Sequence, residues 1–129
     1  MFSELDFIYQ PSRDVARDLD YYLDALGAEL IFAVERFGTR VAMLRLAPNS
    51  PRLLLAEHLT GEQSILIFRV PDLGLAERAI VDGGGQLGQR FEMPFGVGTQ
   101  LVLDGPQRLA IYQETHRDRG DSLTGRRDF

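Results

Sequence analysis

The order of apolar segments, which repeats once along the chain, constrains the fold more strongly than the composition does. In each half, a short apolar run is followed by a segment of helical spacing and then by three more short runs. The halves cover about residues 4–58 and 64–114. Two copies of a strand–helix–three-strand unit in 129 residues predict one α+β domain built from two tandem modules.

Helix boundaries in both halves carry the expected capping residues. Ser12 or Asp14 is expected to begin the first helix, because a side-chain oxygen accepts from the free N–H groups of the first turn. Asp72 is expected to begin the second helix, and glycines end both helices. The first helix has an apolar stripe formed by Val15, Leu19, Tyr22, Leu23 and Leu26. The predicted strands are 5–10, 29–37, 39–46, 52–58, 64–70, 86–92, 99–103 and 108–114.

Charge and composition exclude several classes of function. A net charge of −5 and a pI near 5.0 argue against nucleic acid as a partner, because phosphate binding needs a basic surface. The chain has no cysteine, which excludes disulfides, thiolate nucleophiles and cysteine-bound zinc. No apolar run approaches the ~20 residues of a membrane span, and the opening MFSELDF has acids where a signal peptide has bases. We therefore expect a cytoplasmic protein that does not associate with membranes.

The first helix region resembles a known signature. The run SRDVARDLDYYLDALGAEL is similar to the helix signature of the vicinal oxygen chelate superfamily, which includes glyoxalase I, bleomycin resistance proteins and extradiol dioxygenases. The matching positions are Asp14, Tyr21, Tyr22, Leu26 and Gly27. The run LVLDGPQRLAIYQ resembles the final hairpin of the family, although DGPQ replaces the usual Asp-Pro-Asp-Gly turn. Together with the double repeat, the resemblance extends over about residues 4–115.

The resemblance implies a specific architecture. Two βαβββ modules are expected to form a cupped mixed sheet with the helices on its outer face. Family members commonly pair, so a homodimer is expected as well. The domain would occupy residues 1–115, followed by a polar tail, residues 116–129, that we expect to be mobile or a surface arm.

The resemblance also implies four metal-ligand positions in the metal-dependent members, typically His or Gln, Glu, His and Glu. Counting along this chain, those positions fall on Phe7, Leu55 or Glu57, Ile65 and Ile111. Only Glu57 offers a lone pair, whereas a catalytic metal needs about three protein ligands. The two histidines, His58 and His116, do not complete the set, because one alternates away from Glu57 and the other begins the tail. We therefore predict no metal and no cofactor.

Strand alternation predicts which side chains share the ligand face of the cup. An apolar, aromatic-lined pocket with a few polar groups is typical of a small-molecule site. Glu57 is interpreted as a counter-ion for a cationic ligand, as a base acting with Tyr9, or as the partner of Arg69. The predicted pocket residues are Phe7, Tyr9, Leu55, Glu57, Ile65, Ile67, Arg69, Leu109, Ile111 and Gln113.

Three functions remain open at this stage. The leading hypothesis is metal-independent binding of a small, partly hydrophobic molecule, similar to the antibiotic-sequestering members of the superfamily. The second is a glyoxalase-like lyase or isomerase, or a dioxygenase-type enzyme, with a non-standard or metal-free site in which Glu57 and Tyr9 are the candidate catalytic residues. The third is a degenerate module whose cup is filled by its own side chains and whose role is assembly.

Overall fold

The first module contains the predicted strand, helix and three strands in that order. The computed structural model describes residues 1–36 and 38–129. The elements of the module are β1 (Glu4–Pro11), α1 (Val15–Asp24), β2 (Glu29–Arg36), β3 (Thr39–Arg45) and β4 (Arg52–Ala56). Phe37, at the end of the predicted strand 29–37, lies outside the described residues. Helix α1 ends two residues before Leu26, and Gly27 has the positive φ of 70° expected of a glycine that closes a helix.

The second module repeats the same order of elements, followed by one short helix. Its elements are β5 (Ile65–Arg69), α2 (Leu73–Asp82), β6 (Gln86–Met93), β7 (Gly96–Val102) and β8 (Arg108–Glu114), and then α3 (Arg117–Ser122). The predicted α+β fold with two βαβββ modules is confirmed. In the described part of the chain, no helix is long and apolar enough to cross a membrane.

The chain divides into two compact units. We call the first the α1 unit; it contains Phe7–Ser64 and Leu123–Phe129. We call the second the α2 unit; it contains Met1–Asp6 and Ile65–Ser122. Strand β1 therefore contributes residues to both units, and the end of the chain belongs to the unit that holds the first helix.

In the α1 unit the strands are ordered β2-β3-β4-β1, with β1 parallel to β4 and the other pairs antiparallel. Helix α1 places Val15 and Leu19 against one face of this sheet. They belong to a cluster with the buried strand residues Ala33, Ala42, Leu44, Leu53 and Leu55. The apolar stripe that predicted the helix therefore forms the contact that holds it on the sheet.

In the α2 unit the strands β5, β8, β7 and β6 are neighbours in that order, with β5 parallel to β8. Helix α2 contributes Leu73 and Ala76 to a cluster with Val70 and Ile111. In the sequence, GTRVAML and GTQLVLD align Gly38 with Gly98.

The strand registers correct that alignment of the halves. Gly98 pairs with Tyr112, and the matching pair in the α1 unit is Val41 with Ala56. Gly98 is a buried strand glycine because its missing side chain leaves room for the Phe91 ring. Gly38 instead has a φ of 74°, a left-handed conformation that glycine adopts without strain. The two glycines therefore serve different purposes.

The last seven residues, Leu123–Phe129, lie along strand β2, and we call them the C-terminal strap. Gly125 N–H donates to the carbonyl of Ile31 at 2.8 Å. Ala33 N–H donates to the carbonyl of Arg126 at 2.8 Å, and Asp128 N–H donates back to Ala33 at 2.7 Å. The polar tail that the sequence predicted to be mobile or a surface arm is thus a short helix followed by a segment paired with an edge strand. Its backbone makes this pairing, so side-chain pattern gave no sign of it.

Candidate functional site

An open pocket of about 490 Å³ lies in the α1 unit, where β1 passes into α1 and β4 passes into the following loop. Its walls combine apolar and charged side chains from two chain segments, residues 11–13 and 57–62. The lining residues are Pro11, Ser12, Arg13, Glu57, Leu59, Gly61 and Glu62. Of the residues predicted from the sequence to bind a ligand, Glu57 is the one that lines this pocket.

The carboxylate of Glu57 is fixed by the first turn of α1. Val15 N–H donates to Glu57 Oε2 at 3.1 Å. Asp14 caps the same helix, accepting from Arg17 N–H at 3.1 Å, which selects Asp14 over Ser12 as the N-cap. A carboxylate is favoured here because the free N–H groups give a helix N-terminus partial positive charge. Glu57 is therefore held in one orientation at the wall of the pocket.

Ser12 takes a different role from capping. Its hydroxyl donates to Asp18 Oδ2 at 2.6 Å, which ties the turn before α1 to the end of the first helical turn. Ser12 is buried, whereas Arg13 beside it is exposed. The pocket therefore has one wall fixed by hydrogen bonds to α1 and one exposed cationic side chain.

The α2 unit uses Gln113 as the α1 unit uses Glu57. Gln113 Oε1 accepts from Leu73 N–H, the first residue of α2, at 2.8 Å. Asp72 caps this helix by accepting from Leu75 N–H at 2.9 Å. Gln113 was predicted to contact a ligand, but its side-chain oxygen supports the helix.

The predicted ligand face is wrong for β4. Leu55 packs in the cluster beneath α1, and Glu57 accepts from the N-terminus of the same helix. Phe7 pairs with Arg52, and Tyr9 with Leu54, so these side chains project from the opposite face of the sheet. The sequence count was displaced by one residue on this strand, which reverses the face of every side chain.

The same error affects β8. Ile111 packs in the cluster beneath α2, so Leu109 and Gln113, two residues to either side, share the helix face. Ile65 pairs with Arg108 and Ile67 with Ala110, which places both isoleucines on the opposite face of the sheet. The ten predicted residues therefore divide between two faces in each unit.

Arg69 pairs with two acids of its own unit. Within the α2 unit, its guanidinium lies 3.5 Å from Asp6 Oδ2 and 3.7 Å from Glu4 Oε2. Tyr112 donates its hydroxyl proton to the same Asp6 oxygen at 2.5 Å. The charge of Asp6, a buried carboxylate, is thereby compensated by a cation and a buried hydroxyl.

Five of the apolar residues predicted to line the pocket are buried. Phe7, Leu55 and Ile111 have no exposed surface, and Ile65 and Ile67 are at most 3% exposed. The Phe7 ring also lies 4.3 Å beneath the guanidinium carbon of Arg52. Their burial agrees with the interpretation that they are core.

His58 lies two residues after β4, and sequence reasoning considered it only as a metal ligand, not as a partner of Tyr9. Tyr9 and His58 approach within 2.7 Å, measured from the phenol oxygen to Nε2. The Thr39 hydroxyl lies 3.3 Å from Nδ1 of the same ring. Correct alternation along β4 would have found this group, because His58 is four residues from Leu54 and on its face.

The residues at the metal positions implied by the resemblance do not form a donor set. Phe7, Ile65 and Ile111 have no lone pair to donate, and Glu57 is directed to the end of α1. Throughout residues 1–36 and 38–129, no three His, Asp or Glu side chains are grouped to hold a metal ion. The family ligand set therefore does not fit this chain.

Comparisons with known proteins give structural neighbours without close sequence relatives. No family model matches the sequence, and no curated protein matches it. Methylmalonyl-CoA epimerase from Mycobacterium tuberculosis superposes with a TM-score of 0.73 at 18% identity, covering 88% of this chain and 89% of that one. A Streptomyces coelicolor methylmalonyl-CoA epimerase variant in complex with 2-nitronate-propionyl-CoA gives 0.74 at 18%, covering 89% and 96%.

A third similar structure is a methylmalonyl-CoA epimerase in complex with methylmalonyl-CoA and NH4+. It gives a TM-score of 0.72 at 18% identity and covers 89% of this chain and 96% of that chain. The agreement extends over nearly the whole length of each protein. It confirms the fold that the double repeat and the helix signature implied.

Proposed function

We propose that this chain, which has the fold of the vicinal oxygen chelate superfamily, binds a small organic molecule in the pocket beside α1. The carrying observation is the fixed Glu57 carboxylate in the wall of a cavity of about 490 Å³. That volume lies within the ~300–1,000 Å³ usual for small-molecule sites. The family metal set takes no part in this proposal, because its donor residues are replaced.

The charges around the pocket favour a cation with an apolar body. Glu57 and Glu62 contribute two carboxylates, and Arg13 contributes one cation. Pro11 and Leu59 supply apolar surface beside them. A cation would gain from the excess of carboxylates in a partly desolvated site. The net charge of −5 adds a weaker attraction of the same sign.

Acyl-CoA ligands are the contrasting case. Two of the similar structures are complexes with methylmalonyl-CoA and 2-nitronate-propionyl-CoA. Those ligands carry phosphates, which prefer Arg and Lys clusters. Because acids outnumber bases around this pocket, we expect an organic cation to bind more tightly than an acyl-CoA.

Calorimetric titration of the purified chain tests the proposal. Benzyltrimethylammonium serves as the cationic probe, its neutral carbon analogue tests the charge, and methylmalonyl-CoA tests the alternative. Glu57→Gln keeps an acceptor for the Val15 N–H but removes the charge, so cation affinity should fall about tenfold, equivalent to ~1.4 kcal/mol. Glu92→Gln, at an exposed acid in the α2 unit, is the matched control and should leave affinity unchanged.

Two results would contradict this assignment. One is equal affinity for the cation in the wild type and Glu57→Gln. The other is tighter binding of methylmalonyl-CoA than of the cation. A homodimer and a cytoplasmic location stay predictions; light scattering of the purified chain tests the first.

A second candidate function is metal-free acid–base catalysis by Tyr9 and His58. If Thr39 accepts from Nδ1–H, then Nε2 is the acceptor for the Tyr9 hydroxyl proton. The imidazole can then take that proton, and the phenolate can take one from a substrate. This replaces the pair of Glu57 and Tyr9 predicted from the sequence, because Glu57 lies on the other face of the sheet.

Two measurements examine this second candidate. Nitrogen NMR of His58 should show the proton on Nδ1, and Thr39→Val should redistribute it between the two nitrogens. Hydrogen exchange at C2 of methylmalonyl-CoA in D2O reports proton abstraction. Tyr9→Phe should abolish any enzyme-dependent exchange, whereas Tyr21→Phe, on the exposed side of α1, should preserve it. A proton on Nε2, or exchange unaffected by Tyr9→Phe, would reject the pair.

A further inference from the structure

The C-terminal strap covers the edge of β2 by backbone and side-chain hydrogen bonds. Besides its backbone pairing with Ile31 and Ala33, it offers the Asp128 carboxylate to Glu35 N–H at 2.9 Å. Arg126 donates to both oxygens of that carboxylate, at 2.9 and 3.0 Å. An edge strand presents polar groups that need partners, and here the end of the same chain supplies them.

The final residue anchors the strap beneath α1. Phe129 packs against the cluster that contains Val15 and Leu19, the two buried residues of the helix. The guanidinium carbon of Arg40 lies 4.9 Å from the centre of the Phe129 ring. Arg127 reaches Asp20 on α1 at 3.7 Å. The strap is therefore in contact with both the sheet edge and the helix.

The same helix begins beside the pocket. Val15 belongs to the cluster that Phe129 completes, and its N–H holds Glu57 in the pocket wall. Ser12 and Asp18 join the preceding turn to the helix. A displacement of α1 would move the Val15 N–H away from Glu57. Strap, helix and carboxylate thus form one continuous chain of contacts within the α1 unit.

The strap is attached more weakly than the elements it supports. Residues 124–128 are exposed, and only Leu123 and Phe129 are half-buried. Segments with few buried apolar contacts open at low free-energy cost. Its ion pairs lie at the surface, where such pairs contribute little to attachment. Phe129 is therefore expected to supply most of the attachment.

We propose that the strap is a detachable positioning segment that holds α1 in register with Glu57 and thereby regulates ligand affinity in the adjacent pocket. The regulatory part of this inference rests on the proposed binding function, while the positioning part does not. Because coupling between two sites is reciprocal, ligand in the pocket should also strengthen docking of the strap.

Amide hydrogen exchange followed by NMR on the full chain tests positioning without any ligand. Glu35 N–H reports strap docking, and Val15 N–H reports the contact between α1 and Glu57. Phe129→Ala should accelerate exchange of both amides about tenfold. Phe2→Ala is the matched control, since Phe2 is also a terminal aromatic, stacked on Phe68 in the α2 unit at 5.3 Å; both amides should then be unchanged.

Two further variants serve if Phe129→Ala does not fold. Asp128→Ala removes the acceptor of Glu35 N–H, so docking in this variant is followed at Ala33 N–H, which donates to the Arg126 carbonyl. Ala33 and Val15 should both exchange faster, by less than in Phe129→Ala. The conservative Phe129→Leu should restore protection in part. In the Phe129 variants, faster exchange at Glu35 with unchanged exchange at Val15 would overturn the proposal, because the helix would then keep its position when the strap undocks.

Titration with benzyltrimethylammonium separates the two proposals. In the strap variants its affinity should fall several-fold, and in the wild type saturating probe should slow exchange at Glu35. Unchanged affinity in variants whose Val15 amide is deprotected would overturn the regulatory part. If the wild type binds no probe, the proposed function fails, and the Val15 measurement still decides whether the strap positions α1.

Discussion

The two units of this protein use the same devices to position a helix and differ in what they add to it. In both, an aspartate caps the helix and a side chain from the last strand region accepts from the first helical N–H. In the α1 unit that acceptor is Glu57, which is charged; in the α2 unit it is Gln113, which is neutral. The repeat therefore preserves the hydrogen bond and varies the charge.

The units also differ in how the helix is packed. Among the residues that the structure describes, the cluster beneath α1 has seven buried members and is completed by Phe129 of the C-terminal strap. The cluster beneath α2 has four. A helix whose cluster depends on a distant segment can respond to that segment. The comparison teaches that the cluster beneath α1 includes a side chain from a segment far along the chain, the C-terminal strap.

The largest expected effect on stability comes from truncating a buried leucine in either cluster. Leu19→Ala removes a side chain with no exposed surface, and we expect a loss of about 4 kcal/mol in unfolding free energy. Leu73→Ala, at the first position of α2, should cost about 2–3 kcal/mol, since the smaller cluster around it can relax. Urea unfolding of both variants measures the difference. Equal losses would show that cluster size does not distinguish the units.

A glycine in β7 gives the next largest effect. At Gly98 a Cβ would lie 2.7 Å from the Ile111 carbonyl oxygen and would collide with the Phe91 ring. Gly98→Ala should therefore lower the free energy of unfolding by about 1–3 kcal/mol through overpacking. The matching position of the α1 unit is Val41, which already carries a side chain. Gly105→Ala meets no atom within 4 Å and should change stability by less than ~0.5 kcal/mol in the same unfolding assay. A neutral Gly98→Ala would mean that β7 and β8 separate readily.

Exchanging the two acceptors sharpens the comparison of charge. Glu57→Gln should lower stability by about 0.3–1 kcal/mol, because a carboxylate at a helix N-terminus interacts favourably with the helix dipole. Gln113→Glu should raise stability by a similar amount. Both differences should shrink in 1 M salt, since ions screen the interaction. Unfolding at low and high salt measures this, and effects that persist in salt would assign the cost to lost packing.

The smallest expected effect is the pH dependence of strap docking. Hydrogen bonds from Arg126 and from Glu35 N–H, with the charge of Arg36 adding to them, lower the pKa of Asp128. A carboxyl whose pKa falls on docking stabilises the docked state above its ordinary value, about 3.9, and loses that contribution as pH falls through the lower docked value. Docking should therefore persist to about pH 4 and weaken below it.

Chemical shifts of Glu35 and Ala33 across pH 7 to 2.5 measure this transition. Asp128→Asn should remove it, while an equivalent substitution at Asp104, in an exposed turn of the α2 unit, should leave it in place. A midpoint well above pH 4 would show that another group controls docking.

Much of the fold could be predicted from the sequence, because local rules act over short distances. Helical spacing of Val15 and Leu19 predicted α1. Asp72 was predicted as the cap of α2, whereas the cap of α1 was left open between Ser12 and Asp14. The repeat predicted the order of the strands along the chain. The face of each strand was harder. A one-residue error on β4 placed Leu55 and Glu57 in a pocket that faces away from them, and a similar error affected Ile111 and Gln113.

By itself, then, the sequence determined the two βαβββ modules, the capped helices and the apolar side chains of Phe7, Ile65 and Ile111, which offer no donor atom to a metal. Those features depend on residue type and periodicity, which a linear chain displays. Only the tertiary structure decided that Glu57 contacts the N-terminus of α1, that His58 lies within hydrogen-bond distance of Tyr9, and that Phe129 packs beneath the first helix. Strand register and contacts between residues as many as 114 positions apart, as for Val15 and Phe129, set these relations, and neither leaves a mark in local sequence.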